Sequence, residues 1–193
     1  MKAVLISIQP KWVAKIANGE KTIEVRKTMP KLERPFKVYI YATWNGNKKE
    51  IFVKQDGRLF CENWRKASGL QRGSGKVIGE FVCDRIDDFL VFENGTVQYW
   101  NCHELEKNCL TYNELSKYIG KNKKWYGWHI SDLKIYEKPK ELSEFKKAEL
   151  EKCEETECYS DNGVACYACW GHAGYIQKTI TRPPQSWCYV EEK

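Results

Sequence analysis

The chain has 193 residues, 42% of them hydrophobic and 30% charged, with a formal net charge of +6. That is enough apolar content for one main domain with a real core plus an appendage, and the basic balance favours a polyanionic partner. The apolar run at residues 3–8 is too short for a secretory or membrane segment, so no membrane role and a cytoplasmic location are expected. Nine cysteines, an odd number, then read as reduced thiols or metal ligands rather than as a disulfide scaffold. Eight Trp and eleven Tyr interleave with basic residues, a composition that suits unstacked nucleotides as well as a core.

Residues 3–9 read as a first strand. Behind Pro10, at a position where a missing N–H costs least, Trp12, Val13, Ile16 and Ala17 recur at helical spacing, predicting a short helix over 11–18. Asn18-Gly19 supplies a left-handed stop. The period then changes to two over 21–27: Ile23 and Val25 point one way, Thr22, Glu24 and Arg26 the other. Residues 27–35 are basic and punctuated by proline, hence a loop.

The strand at 37–43 separates Tyr39, Tyr41 and Thr43 from Val38, Ile40 and Ala42. Asn45-Gly46 signals a hairpin, with 51–54 as the returning strand. The stretch 57–76 is basic and glycine-rich, with Phe60 and Trp64 in it. Its end misses the phosphate-loop pattern, because five residues separate Gly69 from Gly75 and Val77 stands where Ser or Thr is required. One or two strands are expected over 76–92, then an Asn94-Gly95 turn into 96–100. Thr111 and Glu114 form a capping box for a helix that Gly120 closes. Residues 125–136 read as the last long strand, ended by Lys138-Pro139-Lys140. Many hairpins and few helices predict a mostly antiparallel β architecture. A composition shift divides 1–147 from a cysteine-rich extension at 148–193. Its Arg182-Pro183-Pro184-Gln185-Ser186-Trp187 segment is expected to dock back on the main domain.

Two clusters carry chemistry. Lys21, Glu24 and Arg26 bring two cations and a carboxylate close enough to pair along this short charged stretch. Beside a cleft they would fix a lysine able to act as acid, base or nucleophile and an arginine able to hold a phosphate or carbonyl oxygen; the alternative is a buried ion-pair network. Cys153-x4-Cys158-x7-Cys166-x2-Cys169, followed by His172 and Cys188, offers soft ligands for a structural zinc ion; the alternative is idle thiols. Serine-hydrolase, dinucleotide-fold and helical zinc-protease signatures are absent.

The spacing Gly19-x-Lys21-x-x-Glu24-x-Arg26 resembles the G-x-K-x-x-E-x-R signature of the ASCH domain, a module related to the PUA RNA-binding folds. Further stretches resemble the same family: Leu5-Ile6-Ser7-Ile8-Gln9-Pro10, Lys37-Val38-Tyr39-Ile40-Tyr41-Ala42-Thr43, Gly79-Glu80-Phe81, and Trp125-Tyr126-Gly127-Trp128-His129-Ile130. The resemblance covers residues 1–147. It implies a mainly β (α+β) fold, a PUA-like β-barrel with short peripheral helices. It also implies a cleft lined by Lys21, Glu24 and Arg26 that binds RNA or a modified nucleoside. Gln9, Thr22, Tyr41, Thr43, Glu80, Trp128 and His129 are further candidate ligand contacts; Trp128 reads equally as a core residue and His129 as a satisfied structural histidine.

Some small members of the family hydrolyse the acetyl amide of N4-acetylcytidine with a Lys, a Thr and a Glu, and others are described as ribonucleases. Lys21 matches the catalytic lysine, but Glu24 stands where the threonine is required, and Thr22 lies one pleat away. A hydrolase is therefore the alternative to a binding module. A third reading is a protein-interaction module, with a partner on the C-terminal extension and an inert cleft. On the binding reading, Lys21→Ala is expected to lower affinity without unfolding the protein.

Overall fold

The charge and hydropathy pattern resolves, among the described residues, into four sheets. The computed structural model describes residues 1–44, 49–54, 56, 58–63, 70–90, 106–120, 124–149, 151–152 and 175–193. The central sheet has five strands, in the order β10 (Ser131–Lys140), β7 (Val77–Cys83), β3 (Phe36–Ala42), β1 (Lys2–Ile8) and β13 (Trp187–Glu191). Only the β1–β3 pair within it is parallel. Helix α1 (Pro10–Ala17) follows β1 directly. A second sheet joins β2 (Ile23–Arg26), β9 (Lys124–His129) and β8 (Ile86–Leu90). A third joins β5 (Leu59–Asn63), β4 (Lys49–Val53) and β6 (Gln71–Arg72), and β11 (Glu151–Lys152) pairs with β12 (Tyr175–Ile176). The fold is mostly β, as the sequence predicts.

Alternation decides which face each residue takes. Val4, Ile6 and Ile8 of β1 pack with Val38, Ile40 and Ala42 of β3 and with Val13 and Ile16 of α1. Ala3 and Leu5 turn the other way, onto Tyr39, Tyr41, Tyr136, Phe145 and Val190. A sheet buried on both faces explains why β1 reads as a nearly continuous apolar run. At Gly79 in β7 an added Cβ would lie 2.5 Å from the carbonyl oxygen of Lys134, so β10 crosses at that point only because the residue has no side chain.

Three expectations are corrected. β4 does not return along β3; it pairs with β5 and β6, because β1 and β7 already occupy both edges of β3. The strand expected over 125–136 is two strands in different sheets, β9 and β10, broken at Ile130 with Asp132 at φ 47°. Pro139 lies within β10 rather than beyond its end. It is tolerated because β10 is a sheet edge, where one N–H need not pair. The turns at 45–46 and 94–95, the strand at 96–100, and Cys153, Cys158, Cys166, Cys169 and His172 fall outside the described residues.

Helix α2 (Tyr112–Ile119) forms where its capping box predicts. The Thr111 hydroxyl accepts from the Glu114 N–H, and Glu114 Oε2 accepts from the Thr111 N–H at 3.0 Å. Among the described residues no helix is long and apolar enough to cross a membrane.

Candidate functional site: a cavity over a buried ion-pair chain

Gly19, at φ +74°, ends α1 in the left-handed conformation that an L side chain adopts at a cost. The chain then doubles back beneath the helix: the N–H groups of Glu20 and Lys21 both donate to the carbonyl of Lys15, at 2.9 and 3.1 Å. This turn drives the Lys21 side chain inward, to 2% exposure. Its ammonium donates to the carbonyls of Ile23 at 2.7 Å and Asn108 at 2.8 Å, and lies 3.3 Å from Glu24 Oε2. Two backbone carbonyls and one carboxylate thus hold the ammonium.

Glu24 bridges the two cations, its other oxygen lying 2.9 Å from Arg26 Nη2. Arg26 in turn donates to the Ser7 carbonyl at 2.8 Å, tying β2 to the end of β1. Glu24 and Arg26 are each 6% exposed. So the polar face of β2 is buried along with its apolar face. A chain of alternating charge whose members share partners is the form in which buried ions are tolerated.

This chain floors a cavity of about 820 Å³, within the range of small-molecule sites. Gln9 and Trp12 of the α1 entry line one side, and Lys117 and Tyr118 of α2 another. A strap of residues 183–186 forms a further wall. The strap is held by Ser7, whose hydroxyl donates to the Pro184 carbonyl at 2.7 Å and whose N–H donates to the Ser186 carbonyl at 2.9 Å. Burial pushes the Tyr118 hydroxyl above its ordinary value, and the adjacent Arg26 charge offsets part of that rise. Arg26 Nε is buried and has no partner among the described residues. Two ammonium groups lie near the Trp12 ring, Lys11 at 4.3 Å and Lys21 at 5.6 Å from its centroid.

The ASCH domain family model matches residues 6–161, which include this whole ion-pair chain. The chain belongs to the ASCH domain family. Its fold is similar to the crystal structure of ASCH from Zymomonas mobilis, with 17% identity and a TM-score of 0.53 over 98% of this chain and 88% of that one. A mutant of that protein matches with 17% identity and a TM-score of 0.54, over 100% of this chain and 92% of that chain. No curated protein sequence matches. ASCH domains are PUA-like modules associated as a family with RNA binding.

Within this ASCH domain the sequence-predicted site residues separate. Lys21, Glu24, Arg26, Gln9 and Thr43 line the cavity. Thr22 lies outside the lining and works through its backbone, bonding Lys107 and Ile130. Tyr41 is buried on the opposite face of the central sheet. Glu80 accepts there from the Tyr136 hydroxyl. Trp128 is fully buried, with its ring centroid 6.0 Å from those of both Phe36 and Trp187. His129 Nε2 lies 2.7 Å from Asp87 Oδ2 on the β8 side. Among the described residues no group of acidic, cysteine and histidine side chains could hold a metal ion.

Trp12, Ser7, Lys117 and Tyr118 were not picked out from the sequence as site residues, and the strap was expected to dock on the main domain but not to wall a cavity. Trp12 shares the helical spacing of true core residues, so periodicity could not separate it. A usable signal existed for the strap: Pro183-Pro184 stiffens a segment that carries Gln and Ser, which suits a wall more than a linker.

Proposed function

We propose that this ASCH domain binds an unpaired nucleotide of RNA, or a modified nucleoside, in the cavity above Lys21, Glu24 and Arg26. The observation that carries the reading is the cavity of about 820 Å³ in which a basic floor meets partly exposed aromatic walls, Trp12 and Tyr118. The lining holds three cations, Lys21, Arg26 and Lys117, against two carboxylates, Glu24 and Glu114. Glu24 is engaged with both of its cationic neighbours and Glu114 with Lys11, so a phosphate or carbonyl oxygen is favoured over a cationic ligand. Flat aromatic surface beside cations suits a base and its phosphate.

Binding is favoured over turnover by the state of Lys21. A buried ammonium held by two backbone carbonyls and an ion pair acts as a cross-link, whereas a nucleophile or base needs a free lone pair. The zinc role of Cys153, Cys158, Cys166 and Cys169 is likewise proposed, on the spacing of those residues alone.

Trp12→Ala is expected to weaken binding of short single-stranded RNA and of free nucleosides about tenfold, the scale of one lost base–aromatic stack. Calorimetry on the folded variant, checked by circular dichroism, reads this out. Equal affinities for the variant and the natural chain would place the ligand elsewhere.

A further inference from the structure

Large apolar side chains are rarely both exposed and fixed. Trp44 is both. It is 59% exposed, yet its indole N–H donates to Glu50 Oε1 at 3.0 Å. The Arg72 guanidinium lies 5.1 Å from the ring centroid and closes the group by pairing with the same Glu50 oxygen at 3.1 Å. Two side chains from two other segments thus hold this indole at the surface. Core packing does not require this arrangement, since Trp44 belongs to none of the buried clusters.

Its location gives it a use. Trp44 directly follows Thr43, which lines the cavity and whose N–H donates to the Ile8 carbonyl at 2.9 Å, beside Gln9. One Cα step, about 3.8 Å, separates the two residues. Arg72 remains 47% exposed at its side chain, so it can meet solvent and stack on Trp44 at once. An indole with a guanidinium on it is a platform for an unstacked base, and the cation is in reach of that nucleotide's phosphate.

We propose that Trp44 and Arg72 form a second nucleotide subsite, which stacks the base adjacent to the one held in the cavity, so that the ligand is a single-stranded RNA rather than a free nucleoside. This rests on the cavity binding proposed above and adds to it the class of ligand. It also gives a role to Arg72, which lies in the basic, glycine-rich stretch whose phosphate-loop reading the sequence excludes.

The test compares a free nucleoside 5′-monophosphate with single-stranded RNA oligomers of increasing length, by calorimetry and fluorescence anisotropy. For Trp44→Ala, oligomer affinity is expected to fall about tenfold while monophosphate affinity stays unchanged. Trp44→Phe, which retains a stacking ring, is expected to restore most of the loss. Arg72→Gln is expected to reduce the slope of log affinity against log salt by about 0.7, the share of one phosphate contact on a single strand. Unchanged oligomer affinity in Trp44→Ala, with Trp12→Ala still impaired, overturns the second subsite and leaves the cavity reading standing; the exposed indole would then serve a protein partner. Equal loss of monophosphate and oligomer affinity in Trp44→Ala also overturns it, because the residue would then act on the cavity itself. If neither monophosphate nor oligomer binds the natural chain, both proposals fall.

Discussion

At the scale of single residues, the decisive feature is that the motif side chains hold the fold and line the cavity together. Lys21→Ala is expected to act on the fold as well as on affinity, because of the partners the ammonium holds. The substitution removes donors from two backbone carbonyls and a counter-ion from Glu24, and breaking a buried pair from one side costs about 3–5 kcal/mol. Lys21→Ala is therefore expected to lower stability by that amount in urea unfolding, with an unchanged m-value; a loss below about 1 kcal/mol would show that water replaces the ammonium at little cost. Stability and affinity are thus entangled at Lys21, which makes Trp12 the cleaner probe. The spacing of Lys21, Glu24 and Arg26 was legible in the sequence because identity and interval alone define it. Burial was not. Trp128 shows why: register places it opposite Glu24, so a sequence argument brings it close to the site. Yet the indole is packed between Phe36 and Trp187, and Trp187 lies 59 residues further along the chain.

At the scale of elements, local chemistry was read well and pairing was not. Gly19 and the Thr111–Glu114 box are complete within a few residues, so α1 and α2 begin or end where their signals stand. The partner of β4 depends on which edges are free after β1, β3 and β7 have assembled, information spread over the whole chain. The α2 cap also carries a pH dependence. The Lys11 ammonium, then the Thr111 N–H and hydroxyl, hold the Glu114 carboxyl down from 4.5 to about 2. A carboxyl depressed in the folded state stabilises fully above its ordinary value, and that contribution is lost as pH falls through the folded value. Helix α2 is therefore expected to lose protection between about pH 4.5 and 2, followed by amide exchange of its backbone, and Glu114→Gln should abolish the dependence in that window. Added salt should weaken the effect, because the Lys11–Glu114 pair lies at the surface. Since α2 carries Lys117 and Tyr118 into the cavity lining, ligand affinity should decline over the same range.

At the scale of the whole molecule, the C-terminal segment joins the fold to the site. β13 pairs antiparallel with β1 over five registered positions, from Lys2 with Glu191 to Ile6 with Trp187. Val190 is fully buried beside Ala3 and Leu5. The strap that leads into β13 walls the cavity, and Trp187 anchors it further by donating to the Thr28 hydroxyl at 3.0 Å. The family model ends at residue 161, so this wall lies beyond the segment that defines the family, and the motif alone could not reveal it. Removing residues 183–193 is expected to act twice. It opens the cavity on one side, and it leaves β1, buried at six of its seven positions, as an exposed apolar edge. Such an edge pairs with another chain. The truncated protein should therefore melt at a lower temperature and self-associate in a concentration-dependent way, measured by light scattering alongside the intact chain. A shortened chain that stays monomeric with an unchanged melting temperature would mean that β1 needs no partner on that side. If it also kept its RNA affinity, the strap would have no part in the site.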